Sequence, residues 1–196
     1  MTEATNCHLF KSYNCMREID LVKNCLAGDQ KACKQLYLEY APTMLSLCHR
    51  YITHTAEAED ALQEGFIKIF QNLKGWNQTG PLGAWIRRIM INTCLSNLRK
   101  NGQLQTFDPA DGNFDPSVEP DVLFSLDYND FENILKKMPA GYRTVFNLVV
   151  LEGYSYVEIS NLLNIKEVSC RSQYFKAKQF LTQKLQSLYP HIKLPA

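Results

Sequence analysis

Apolar residues recur every three or four positions from Ile19 to Leu98, and again from Phe131 to Leu185. Between the two tracts this rhythm is lost. Residues 101–126 carry Gly102, Pro109, Gly112, Pro116 and Pro120. Residues 101–131 carry seven acids (Asp108, Asp111, Asp115, Glu119, Asp121, Asp127, Asp130) and no base. Proline removes backbone donors, glycine weakens any regular element and like charges repel, so this stretch has the composition of an extended tether. Helical period on both sides, with few strand signals, predicts an all-α chain. Its two small helical domains are joined by an extended acidic linker. The expected boundaries are a loosely structured leader at 1–18, a first domain at 19–101, the linker at 102–127 and a second domain at 128–190.

The formal net charge of +1 hides this division. Residues 1–100 hold 12 Lys/Arg against 9 Asp/Glu, and residues 132–196 hold 9 against 4, so two mildly basic blocks flank the acidic strip. An apolar fraction of 45% over 196 residues suits a packed globular protein. The sequence has neither a run long enough to span a bilayer nor a signal-peptide core, which leads us to expect a soluble, cytoplasmic protein. The seven cysteines are odd in number and contain no CxxC pair, so reduced, core-filling side chains are expected, with no metal and no cofactor. Cys7-His8 with Cys15 is the one place where a metal or redox site stays open. The four histidines lie in no catalytic spacing and no phosphate-binding glycine loop is present, which argues against an enzyme.

In the first half, a helix through Ile19, Leu21, Val22, Cys25 and Leu26 should stop at Gly28. Asp29 can cap a second helix carrying Ala32, Leu36 and Tyr40, and Pro42 can open a third through Leu45, Cys48 and Ile52. Thr55 precedes Glu57, Glu59 and Asp60, acids suited to the positive end of a helix dipole. That helix continues through Ala61, Leu62, Phe66, Ile69, Phe70 and Leu73. Gly75, Gly80, Pro81 and Gly83 mark a loop. A further helix from Leu82 to Lys100 is expected to bury Trp85, Ile89, Leu95 and Leu98.

In the second half, Phe131, Ile134, Leu135 and Met138 begin a helical block punctuated by Pro139 and continued from Tyr142 to Leu151. Ser155 and Glu158 form an S-x-x-E capping box, opening a helix expected to bury Val157, Ile159, Leu162 and Leu163. Asn164 tolerates the left-handed backbone that a tight turn between helices needs. A new helix begins near Glu167, with a buried stripe at Cys170, Tyr174, Ala177, Leu181 and Leu185. Its other face carries Arg171, Ser172, Phe175, Lys176 and Gln179. This is a helix-turn-helix with a basic second helix fit for the major groove, where Arg reads guanine edges and Ser or Lys anchors phosphates. A solvated amphipathic hairpin has the same pattern. The short turn, the placed cap and an exposed Phe175 among cations favour DNA.

Two stretches in the first half, "AEDALQEGFIKIFQNL" (Ala58 to Leu73) and "AWIRRIMINTCLSNLRKN" (Ala84 to Asn101), resemble the second conserved region of extracytoplasmic-function (ECF) sigma factors of bacterial RNA polymerase. "MPAGYRTVFNLVVLEGYSYVEISNLLNI" and the helix beyond it resemble that family's fourth conserved region. The resemblance covers about residues 19–100 and 128–188, in order and with the linker between. Three positions depart from the family pattern. Ser96 stands where Asp is frequent, Asn164 where the turn commonly has Gly, and Val168 where Gly is frequent, which puts promoter preference in question.

The resemblance implies a subunit that joins core RNA polymerase and directs promoter-specific transcription initiation. It assigns Asp60, Gln63, Glu64 and Phe66 to the polymerase clamp, the acids suiting a basic partner and Phe66 supplying an apolar contact. It assigns the loop residues Trp76, Asn77 and Gln78 to a base flipped from the −10 strand. Arg87, Arg88, Asn92, Asn97, Arg99 and Lys100 would meet −10 DNA. Arg171, Ser172, Phe175, Lys176 and Lys178 would meet the −35 element. Implied partners are core RNA polymerase (clamp and flap), promoter DNA and an anti-sigma factor, with no small-molecule substrate. The linker would thread the polymerase cleft as a charge mimic of nucleic acid, or serve only as a solubilising tether. The alternative function is a stand-alone helix-turn-helix regulator that does not join the polymerase.

Overall fold

The computed structural model of the chain describes residues 16–104 and 128–189, and every regular element among them is helical. The chain divides into two compact units, Met1–Cys94 and Leu95–Ala196. Helix α1 (16–26) ends at a turn in which Gly28 takes φ +88°, a conformation open to glycine at little cost. Asp29 then caps α2 (Gln30–Tyr51), its side chain accepting from the Lys31 amide at 2.8 Å. Helix α3 (Thr55–Asn72) follows and closes in a 3-10 turn, Leu73–Gly75. Helix α4 (Leu82–Lys100) comes after a short loop and runs across the division between the units.

The first core is built where α2, α3 and α4 meet. Leu36, Met44, Leu47, Tyr51, Leu62, Phe66, Ile69, Ile86, Met90 and Cys94 are buried. The Cys48 and Cys94 sulfurs stand 3.7 Å apart across α2 and α4. At Gly65, α3 comes so close to α4 that a Cβ would lie 2.5 Å from Met90 Sδ. Glu18 of α1 ties the unit together, accepting from Tyr40 Oη of α2 and from the Leu82 amide of α4, both at 3.1 Å. A carboxylate at that amide also faces the positive end of α4.

In the second unit, beyond the end of α4, come α5 (Tyr128–Lys137) and α6 (Ala140–Phe146), then a π-helical turn, Asn147–Leu151. Helices α7 (Tyr156–Leu163) and α8 (Glu167–Leu188) complete it. Helix α8 packs against α5, α6 and α7. Ile134, Leu135, Met138, Phe146, Ala177, Leu181 and Leu185 form the core, with Phe131, Tyr142, Tyr174 and Phe180 packed around it. Arg143 is buried among them and donates to the Met138 and Lys136 carbonyls at 2.9 and 3.3 Å. The Lys136 carbonyl is among the last of α5, where helix geometry leaves acceptors without helical partners, and Met138 follows directly after the helix. Burial pushes the Arg143 pKa below its ordinary value.

Several expectations need correction. Pro42 does not open a helix but lies inside α2. Ala41, Met44 and Leu47 are buried on either side of it, so one core holds both halves of the helix. Pro42 and Leu38 lie on the exposed side, where a carbonyl deprived of its helical partner is open to water. In α4 the buried stripe is Leu82, Ile86, Met90, Cys94 and Leu98, four residues apart, so Trp85 and Ile89 are only half-buried. Val157, expected inside, is 55% exposed on α7. Tyr174 is half-buried at the edge of its stripe.

Candidate nucleic-acid interface

The turn between α7 and α8 is closely specified by its sequence. Ser155 Oγ accepts from the Glu158 amide at 3.3 Å, and Glu158 Oε2 accepts from the Ser155 amide at 2.8 Å, which is the capping box expected there. Asn164 ends α7 in the left-handed region (φ 55°, ψ 48°), and the Ile165 amide donates back to the Ser160 carbonyl at 3.1 Å. Cys170, Gln173, Ala177, Leu181 and Leu185 turn inward on α8. Burial pushes the Cys170 thiol up to about 11.

The opposite face carries Arg171 and Gln179, both exposed, with Ser172, Phe175, Lys176 and Lys178 half-buried. Phe175 is thus less open than expected. Lys178 Nζ lies 5.2 Å from the centre of the Tyr174 ring. Arg171 donates to Glu167 and covers the Tyr156 ring. Val168, 75% exposed on the same helix, adds an apolar group suited to a thymine methyl. Tyr156, Glu167 and Val168 were not singled out as binding residues from the sequence. The sequence signals for this face are the capped turn and the run Arg171, Ser172, Phe175, Lys176, and none of the three belongs to that run.

On the loop after α3 and on α4 the expected −10 residues separate into inner and outer groups. Trp76 is 6% exposed and its Nε1 donates to the Gly80 carbonyl at 3.1 Å, so its ring belongs to the core and is not offered for stacking. The same anchorage turns the next residues outward. Asn77 Oδ1 accepts from Thr79 Oγ1 at 2.7 Å, and exposed Gln78 sits at φ 62°. On α4, Arg88, Asn92, Arg99 and Lys100 are exposed, while Arg87 and Asn97 are half-buried.

The expected polymerase helix is α3. Asp60 and Gln63 are exposed, and Glu64 is half-buried and paired with Lys68 at 2.8 Å. Phe66, expected to face a partner, is 3% exposed and packs on Tyr37 of α2 at 4.7 Å between ring centres. The apolar residue facing outward is its neighbour Ile67, 57% exposed. Ile67 stands four residues after Gln63 and seven after Asp60, on one face.

Cys25, Cys48, Cys94 and Cys170 are buried free thiols and Cys33 is half-buried. Burial raises the Cys25 thiol to about 12. Among the described residues no cluster of three or more His, Cys, Asp or Glu could hold a metal ion. The Cys7, His8 and Cys15 group and linker residues 105–127 lie outside the described residues. Among the described residues no helix is long and apolar enough to cross a membrane.

A helix-turn-helix with a cationic second helix, in the same chain as a unit that shows an acidic helix face and a polar loop, defines a two-part DNA-binding protein. Residues 36–104 match the Sigma-70 region 2 family and residues 128–181 match Sigma-70, region 4. The ECF RNA polymerase sigma factor SigW of Bacillus subtilis (strain 168) is 26% identical over 183 residues, spanning 85% of this chain and 96% of that protein. The RNA polymerase sigma-H factor of Pseudomonas aeruginosa is 28% identical over 186 residues, 86% of this chain and 93% of the relative. Among solved structures, the sigma factor RpoE from Bartonella quintana, in complex with the anti-sigma factor NepR, matches with a TM-score of 0.51 at 25% identity. That match covers 78% of this chain and 96% of the other. The chain belongs to the RNA polymerase sigma factors, in their ECF group. It is therefore a transcription initiation factor, and the alternative of a regulator acting without polymerase is not favoured.

Proposed function

We propose that the two units divide the work of promoter recognition by named surfaces. Asp60, Gln63 and Glu64, with Ile67 in the place first given to Phe66, form the face of α3 that joins core RNA polymerase at its clamp. Asn77 and Gln78 take a base from the opened −10 strand. Arg87, Arg88, Asn92, Asn97, Arg99 and Lys100 follow the backbone and neighbouring bases there. On α8, Arg171 reads the −35 element, Ser172, Lys176 and Lys178 hold phosphates, and Phe175 and Val168 add apolar contact. The protein acts in the cytoplasm, is not an enzyme, and is held inactive by an anti-sigma factor, as RpoE of Bartonella quintana is seen bound to one.

The observation that supports this most is the pairing, in one chain, of an acidic α3 face around exposed Ile67 with a capped helix-turn-helix. A regulator working alone has no use for the first. The test is co-purification with core polymerase followed by run-off transcription. Asp60→Ala with Ile67→Ala should remove both core binding and transcript, with the melting temperature unchanged. Full activity of that folded variant sinks the α3 assignment.

A further inference from the structure

Arg171 is held in place from two sides before any DNA arrives. Its Nε and Nη2 both donate to Glu167 Oε1, one helical turn earlier, at 3.2 and 2.6 Å. Its guanidinium carbon lies 4.6 Å from the centre of the Tyr156 ring, at the first position of α7. Tyr156 meets the Tyr174 ring edge-on at 6.1 Å, and Tyr174 stacks at 6.3 Å on Phe146, a buried core residue. A column of rings therefore runs from the core of the unit to the guanidinium.

Neither hydrogen bond to Glu167 uses Nη1. The end of the fork, with N–H groups on Nη1 and the outer N–H of Nη2, remains directed away from the carboxylate. Guanine presents O6 and N7 side by side in the major groove and is met bidentately by such an end. No other base offers two acceptors there. An arginine has many rotamers, and one already confined by a ring and a carboxylate loses less freedom on binding.

We propose that Glu167 and Tyr156 are positioning residues that aim Arg171 at a single guanine of the −35 element. The proposal rests on the assignment of α8 to that element. Glu167 has a second effect through its charge. Where the base opposite offers no pair of acceptors, the carboxylate lies near backbone phosphates without compensation and repels them. It therefore sharpens the choice of base while weakening binding to every wrong sequence.

The experiment uses holoenzyme, assembled from core RNA polymerase and the full chain, on promoter fragments carrying each base at each −35 position. Wild type should favour guanine at one position, and Arg171→Ala should remove that preference alone. Glu167→Ala should lower the same preference about two- to fivefold while leaving affinity for the other bases unchanged or raised. Tyr156→Leu should lower it similarly, and Tyr156→Phe, which keeps the ring, should retain it. In the Arg171→Ala background, Glu167→Ala should change no base preference. A general folding defect would lower all affinities together and could not produce this split. The positioning role is overturned if Glu167→Ala leaves the guanine preference intact or strengthens it. It is overturned too if that variant alters preference at another position, since Glu167 then reads a base itself. If Arg171→Ala weakens every sequence alike, the base-reading role of α8 Arg171 fails and the proposal falls with it. That result is distinct from one in which Arg171→Ala is position-specific and Glu167→Ala is silent.

Discussion

Phe66 and Ile67 are adjacent, both large and both apolar, yet the structure gives them opposite duties. Phe66 is 3% exposed, with its ring 4.7 Å from Tyr37 and 6.2 Å from Phe70. Its replacement by alanine opens a cavity between α2 and α3 and removes an aromatic pair, a loss of about 3–5 kcal/mol. For a helical unit of this size each kcal/mol lowers Tm by roughly 4–8 °C, so a fall of at least about 12 °C is expected. Ile67 is 57% exposed, and its truncation should cost under about 0.5 kcal/mol of stability. If Ile67 is covered by polymerase, losing its outer methyl and methylene groups should cost about 1–2 kcal/mol of binding, or roughly five- to thirtyfold in Kd. Differential scanning fluorimetry reads the first quantity and titration of labelled protein with core polymerase reads the second. A Phe66→Ala protein that melts normally but loses polymerase, or an Ile67→Ala protein that unfolds, would refute this division.

Other consequences follow from single residues. Ser155→Ala removes the hydroxyl that caps α7 and should lower the stability of the second unit by about 1 kcal/mol, read by urea denaturation. At Asn164, with φ 55°, Asn164→Gly should be tolerated or mildly stabilising and Asn164→Val destabilising by about 1–2 kcal/mol in the same assay. Folded Cys170 and Cys25 are raised to about 11 and about 12, above an ordinary thiol. Their contribution is therefore full below the unfolded thiol pKa and fades as pH rises through 9 to 11; Cys170→Ala should flatten the fall of Tm over that window.

The local chemistry of the turns was legible because it depends on few residues. Asp29, Ser155 with Glu158, and Asn164 each do what their side chains dictate within three or four positions. Burial was legible only as a period. On α3 the period Leu62, Phe66, Ile69, Leu73 already turns Phe66 inward and leaves Ile67 off that face; only the resemblance gives Phe66 to a partner, and its packing on Tyr37 of α2 agrees with the period. On α4 the period leaves the edges of the stripe open: Leu82, Ile86, Met90 and Cys94 are inside and Trp85 and Ile89 lie at the margin. The resemblance alone gives Trp76 to a flipped base, while the Gly80 carbonyl that accepts its N–H belongs to a loop with no periodic signal. Pro42 reads locally as a helix start, and the core on both sides overrides it. The π-helical turn at Asn147–Leu151 has no sequence signature comparable to a cap. The support that Glu167 and Tyr156 give Arg171 joins two helices, so only the folded turn displays it.

The separation of promoter reading between the two units is tested most directly by run-off selection from a library randomised over both promoter elements. Holoenzymes would be formed with wild type, with Arg171→Ala, and with Asn77→Ala and Gln78→Ala combined. Wild type should enrich an upstream and a downstream motif at fixed spacing. Arg171→Ala should degrade one position of the upstream motif alone, and the loop variant should degrade the downstream motif alone. Loss of both motifs in either folded variant, or of neither, would contradict the assignment of α8 to the −35 element and of the Asn77–Gln78 loop to the −10 element.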